Sequence, residues 1–291
     1  MINSNRNESP SGVIGTSRQP RAADIVKSHD LYGGLMRIVG IGALLFITSV
    51  ATIAYWCNSM SGGMPMPGGW TMSMSWMRME GQSWFDAAAS FLGMWVVMMV
   101  AMMMPALIPS LLRYHLSFRG SQSSHPAALT TLAGAAYVFV WALIGAAVYP
   151  IGVVLARTMM ASELLARSAP IVAGMVLLLA GYLQVSRWKA RQLCRCRATF
   201  VSGQALRRDA RGAWHHGVRL GANCALCCSG LMAVMLVTGV MNLGTMALLT
   251  VAIAAERLVP RPDWVARTTG LFILAAAVLM IGRGLWSNWS H

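Results

Sequence analysis

The stretch 85–110, FDAAASFLGMWVVMMVAMMMPALIPS, carries one charged residue, Asp86 near its start, followed by 24 uncharged positions. A run of that length and apolarity crosses a bilayer as a helix, because about 20 mostly apolar residues span the hydrocarbon core. Six further apolar runs lie at 35–56, 129–155, 171–185, 223–240, 243–255 and 268–286. The chain of 291 residues is 56% hydrophobic and 11% charged, against about 25% charged in an ordinary soluble domain. The expected fold is all-α, a polytopic transmembrane helix bundle of about seven spans. Six is the alternative count, since only Met241-Asn242 parts the fifth run from the sixth.

Orientation follows from the basic residues. With the amino terminus in the cytoplasm and sides alternating, nineteen of the 23 Lys and Arg residues fall inside and four outside, as the positive-inside rule requires. The net charge of +14 is then a juxtamembrane surface facing anionic lipid. The bilayer is the expected partner, and nucleic acid is not. Residues 1–34 are polar and basic and read as a disordered cytoplasmic arm. No cleavage site follows the first apolar run, so no signal peptide is expected to be removed. The transmembrane domain, 35–291, has a Met-rich outer loop at 57–84 and a basic cytoplasmic loop at 186–220 that holds Cys and His.

The outer loop contains Met60, Met64, Met66, Met72, Met74, Met77 and Met79 among Gly, Pro and Ser. Seven thioethers on a segment with few other aliphatic side chains suit capture of a soft ion such as Cu(I); the competing reading is an adaptable contact surface. In the next span Met94, Met98 and Met102 recur at i, i+4 and i+8 and line one helical stripe, with Met99 and Met103 beside them. Pro105 and Pro109 free carbonyls close to that stripe, which a bilayer tolerates only where the helix faces protein or a cavity. Gap-filling by Met is the alternative.

The fifth run opens with Cys224-Ala225-Leu226-Cys227-Cys228. On a helix these thiols converge on one face, which Met232 and Met235 extend. Asn242 sits near its far end. Thiolates bind Cu(I) or Zn(II) tightly. Close packing of small side chains and redox chemistry are the other readings. The cytoplasmic loop adds Cys194-Arg195-Cys196 and His215-His216, for which a four-ligand structural zinc site is a rival to copper.

The run from Met94 to Pro105 resembles the MW-x-x-MM-x-AMMxP block of the predicted metal-binding integral membrane protein family, a bacterial domain of unknown function. The Lys and Cys residues from Trp188-Lys189 to Cys196-Arg197 resemble a second block of that family. Gly221 to Cys228 resembles its Gly-x-x-Cys-x-x-Cys-Cys block, followed by Leu231-Met232, by Gly239 to Asn242, and by Glu256. Ser229 stands where the family usually has Trp, and Arg257 where it usually has Lys. The likeness runs from about Met94 to Gly282. It implies a multi-pass protein of the bacterial cytoplasmic (inner) membrane that binds a metal.

The expected function is binding or movement of a soft metal ion, Cu(I) first, from the outer methionines toward the inner cysteines. Its expected partners are a metallochaperone or a membrane complex, and the chain is a candidate homo-oligomer. The alternative is a membrane assembly subunit whose Met and Cys residues serve packing. No ATPase motif, haem Cys-x-x-Cys-His or paired intramembrane carboxylates appear, so no catalytic activity is expected.

Overall fold

A computed structural model describes residues 22–59, 64–66, 70–72, 76, 81–118, 126–201, 209–240 and 242–289. It contains the helices α1 (Ala22–Ser59), α2 (Trp84–Leu116), α3 (Pro126–Ala161), α4 (Glu163–Val185), α5 (Arg187–Val201), α6 (Ala210–Thr238), α7 (Leu243–Leu258) and α8 (Pro262–Trp289), with two short strands, β1 (Met64–Met66) and β2 (Trp70–Met72). The all-α architecture is as expected, apart from the antiparallel β1–β2 pair in the Met-rich segment, where Met64 faces Met72 in register. Six helices are long and apolar enough to cross a membrane: all but α5 and α7.

Three departures from expectation have local causes. Helix α1 starts at Ala22, inside the arm expected to be disordered. Between α6 and α7 the chain turns at Gly239, whose φ of 101° suits a residue without a Cβ. Asn242 Oδ1 then caps α7 by accepting from Thr245 N at 3.0 Å. The fifth and sixth runs are therefore two helices, but α7 has 16 residues, about 24 Å at 1.5 Å per residue, short of the ~30 Å hydrocarbon core. The third departure is α5, helical where a loop was expected. Lys189, Gln192, Leu193 and Cys196 are buried while Arg191, Cys194 and Arg195 are exposed. That i, i+3, i+4, i+7 stripe marks a helix lying on a surface.

Small residues set the packing, as expected where the surrounding solvent is apolar and close backbone approach supplies the attraction. Gly217 and Gly221 of α6 lie against Ala133, Ala136, Tyr137 and Val140 of α3, with both helices running in the same direction. Gly174 and Gly181 of α4 meet Ile281 and Leu274 of α8 running the opposite way, and Gly34 and Gly42 of α1 meet His115 and Ile108 of α2. Helices α2 and α6 are the most buried of the long helices. The outer helices turn Leu44, Ile47, Leu143, Ile151, Leu179, Leu271, Phe272 and Leu279 outward. An apolar girdle of this kind fits lipid and is rare on a soluble monomer.

Helix α2 begins with a capping box in which Asp86 N donates to Ser83 Oγ at 3.1 Å and Ser83 N donates to Asp86 Oδ2 at 3.3 Å. It stays continuous through Pro105 and Pro109. Trp95 anchors it to α3, donating from Nε1 to the Trp141 carbonyl at 3.0 Å.

Candidate metal centre

Cys224, Cys227 and Cys228 share one face of α6, and all three are buried. Around Cys224 four helices converge. Its Sγ lies 3.8 Å from Met103 Sδ of α2 and 3.0 Å from the Tyr137 hydroxyl of α3. Arg257 of α7 donates from Nη2 to Cys224 Sγ at 2.7 Å and reaches Cys228 Sγ at 3.7 Å. The thiols continue as a chain: Cys224 neighbours Cys228, Cys228 neighbours Cys227, and Cys227 bonds to Cys196 of α5. They form a line of adjoining donors. Among the described residues no three His, Cys, Asp or Glu side chains are grouped so as to hold a metal ion. The Met103 thioether adds a further soft donor beside the Cys224–Cys228 pair.

A second polar layer supports the line. Lys189 Nζ donates to the Cys227 carbonyl at 2.7 Å and pairs with Glu256 Oε2 at 2.8 Å. Gln184 Nε2 donates to the other Glu256 oxygen. Burial works against the Lys189 charge, but Cys227, Glu256 and Cys228 outweigh it and hold the ammonium above its ordinary range. The hydrogen bond from Cys227 holds the Cys196 thiol below its usual range, against the opposing effect of burial. Arg197 donates to the carbonyls of Arg257 and Val259, closing the end of α7.

The remaining expected ligands are distributed as follows. Met94, Met98 and Met102 are buried along one side of α2, and Met232 and Met235 are buried on α6 in the same core. Cys194 is exposed while its neighbour Cys196 is buried. His215 is exposed, and His216 stacks on Tyr114 with ring centroids 4.6 Å apart. The Cys194, Cys196, His215 and His216 set is thus not brought together. Met64, Met66 and Met72 lie on the paired strands, and Met60, Met74, Met77 and Met79 fall outside the described residues.

Met103, Tyr137, Arg257, Lys189 and Gln184 complete the centre, although none stood out as a ligand in the sequence. One signal pointed to it: Glu256-Arg257 ends an apolar helix, and ionisable residues in such places are costly and tend to mark function.

No curated protein and no solved structure matches the chain. A sequence model of the PpoB2 family, described as a copper chaperone, matches residues 92–280, from α2 through most of α8 and so across the whole sulfur line. The chain belongs to the PpoB2 copper chaperone family.

Proposed function

We propose that the protein is a membrane-embedded Cu(I) chaperone whose holding site is the Cys224–Cys228 pair with Met103 as a third soft donor. The contact of the Arg257 guanidinium with Cys224 Sγ, beside the Met103 thioether, carries this reading. Thiolate and thioether sulfur select Cu(I) over harder ions. Two thiolates around Cu(I) leave one net negative charge, and a charge in a dry interior is tolerated only when compensated. Arg257 supplies that compensation. Zinc, which favours four tetrahedral ligands, finds no such set in this pair.

In the proposed orientation the amino terminus is cytoplasmic and the Met-rich segment is outside. Cu(I) collected by thioethers passes along the α2 methionines to the stronger thiol donors. It then moves from Cys228 through Cys227 to Cys196 of α5. A line of adjoining donors suits exchange, since each step breaks one sulfur bond as it makes another. The protein is purified in detergent under reducing conditions and titrated with Cu(I) against a competing chelator. Cys224→Ser with Cys228→Ser should abolish tight binding, whereas Cys194→Ser should keep it. Unchanged copper retention in the double variant would sink the proposal and leave these cysteines as packing.

A further inference from the structure

We propose that a second Cu(I) site, made of thioethers, lies in the cavity between α1, α2, α7 and the turn that joins α6 to α7, with Met94, Met98 and Met246 as ligands and the Trp56 indole beside them. The cavity is lined by Ile53, Trp56, Met94, Met98, Val240 and Met246, so half of its wall is methionine, drawn from two helices. This inference rests on the copper function above and gives it an uptake point.

The lining decides which ion fits. No polar group lines the cavity, so it offers no oxygen to Mg²⁺ or Ca²⁺ and no imidazole, carboxylate or thiolate to Zn²⁺. A soft monovalent ion is the cation that neutral thioethers can hold, and an aromatic face adds attraction without adding charge. Three neutral sulfurs leave the ion's positive charge uncompensated, so binding is weak and reversible. A passage site must have that property, since an ion held too firmly does not leave.

Position supports the assignment. Trp56 lies in the last turn of α1, just before the Met-rich segment. Trp76 of that segment packs on Phe91 with ring centroids 5.0 Å apart and lies against Gly152. Trp76 is therefore held at this end of the bundle, and its partner Phe91 is one turn from Met94. Toward the other end of α2 the stripe continues from Met98 to Met102, and Met103, beside that stripe and about 7.5 Å along the helix axis from Met98, touches Cys224. The cavity thus shares α2 with the methionine that meets the thiols. Met246, in the first turn of α7, is the member that no sequence pattern announces.

The test uses the full chain in detergent with Cys196, Cys224, Cys227 and Cys228 all changed to Ser. Binding of Cu(I) and Ag(I) is titrated, and sulfur coordination is read by X-ray absorption. The expected result is weak binding with sulfur-only ligation, of which about one equivalent is weakened at least about tenfold by adding Met94→Leu, Met98→Leu and Met246→Leu. Leu keeps volume and apolarity, and thermal melting checks that the variant stays folded. Met246→Leu alone, the mildest change, should weaken the same equivalent. Binding by the Ser parent that is unchanged by the Leu substitutions, or no binding by that parent at all, overturns the site. The cysteine centre is judged separately by the loss of tight binding between the wild type and the Ser parent, so the two proposals fail independently.

Discussion

In the proposed site, two thiolates around Cu(I) would leave one net negative charge in a buried place, and Arg257 of α7 lies 2.7 Å from Cys224 Sγ. Hydrogen bonds to charged groups contribute roughly 1.5–3 kcal/mol, so removing this one should weaken Cu(I) binding by about ten- to a hundredfold. Arg257→Gln is expected to show that loss in a chelator competition, and Arg257→Lys to recover part of it, because an ammonium keeps the charge but not the forked geometry. Equal affinity in all three proteins would mean that the sulfurs need no cation. At this scale the spacing of Cys224, Cys227 and Cys228 was legible, because helix geometry alone puts them on one face. Arg257, Tyr137 and Met103 were not. They come from three other helices, and only tertiary packing puts them beside Cys224.

Helix α5 is the element whose character the sequence concealed. Its buried stripe of Lys189, Gln192, Leu193 and Cys196 has the helical period, but two of the four are polar, so the pattern looked like a basic loop. Lys189 is buried because a partner awaits it in Glu256, which also accepts from Gln184 of α4. Removing one partner of a buried ion pair strands the other and typically costs about 3–5 kcal/mol. Lys189→Ala should therefore lower the thermal midpoint of the detergent-solubilised protein markedly and loosen α5, detected as faster alkylation of Cys196. Lys189→Met combined with Glu256→Gln should cost less than Lys189→Ala alone, as a coupled pair requires. A double variant no better than the single one would show that the pair does not hold α5 in place. By contrast, the six long helices were legible because length and apolarity suffice to define them.

Across the whole molecule, the short α7 explains why charge enters an apolar bundle at all. Ending after 16 residues, it leaves room beneath its last turn, and α5 lies across that room with Lys189 and Arg197 reaching Glu256 and the final carbonyls of α7. The cysteines of α6 face this junction, so the sulfur line begins among the α2 methionines and ends on a basic helix outside the apolar spans. Counting apolar runs could not expose this, since a run one or two turns too short is still an apolar run. The arrangement makes the proposed orientation testable at one atom. Cys194 is the exposed thiol of α5, and in the proposed orientation, with nineteen basic residues inside, that helix is cytoplasmic. A membrane-impermeant maleimide should label Cys194 in inside-out vesicles and leave it unlabelled in right-side-out ones, with Cys194→Ser removing the difference. The reverse pattern would put α5 outside and invert the proposed direction of copper transfer. The sulfur centre itself would stand, because its geometry does not depend on which side of the membrane α5 faces.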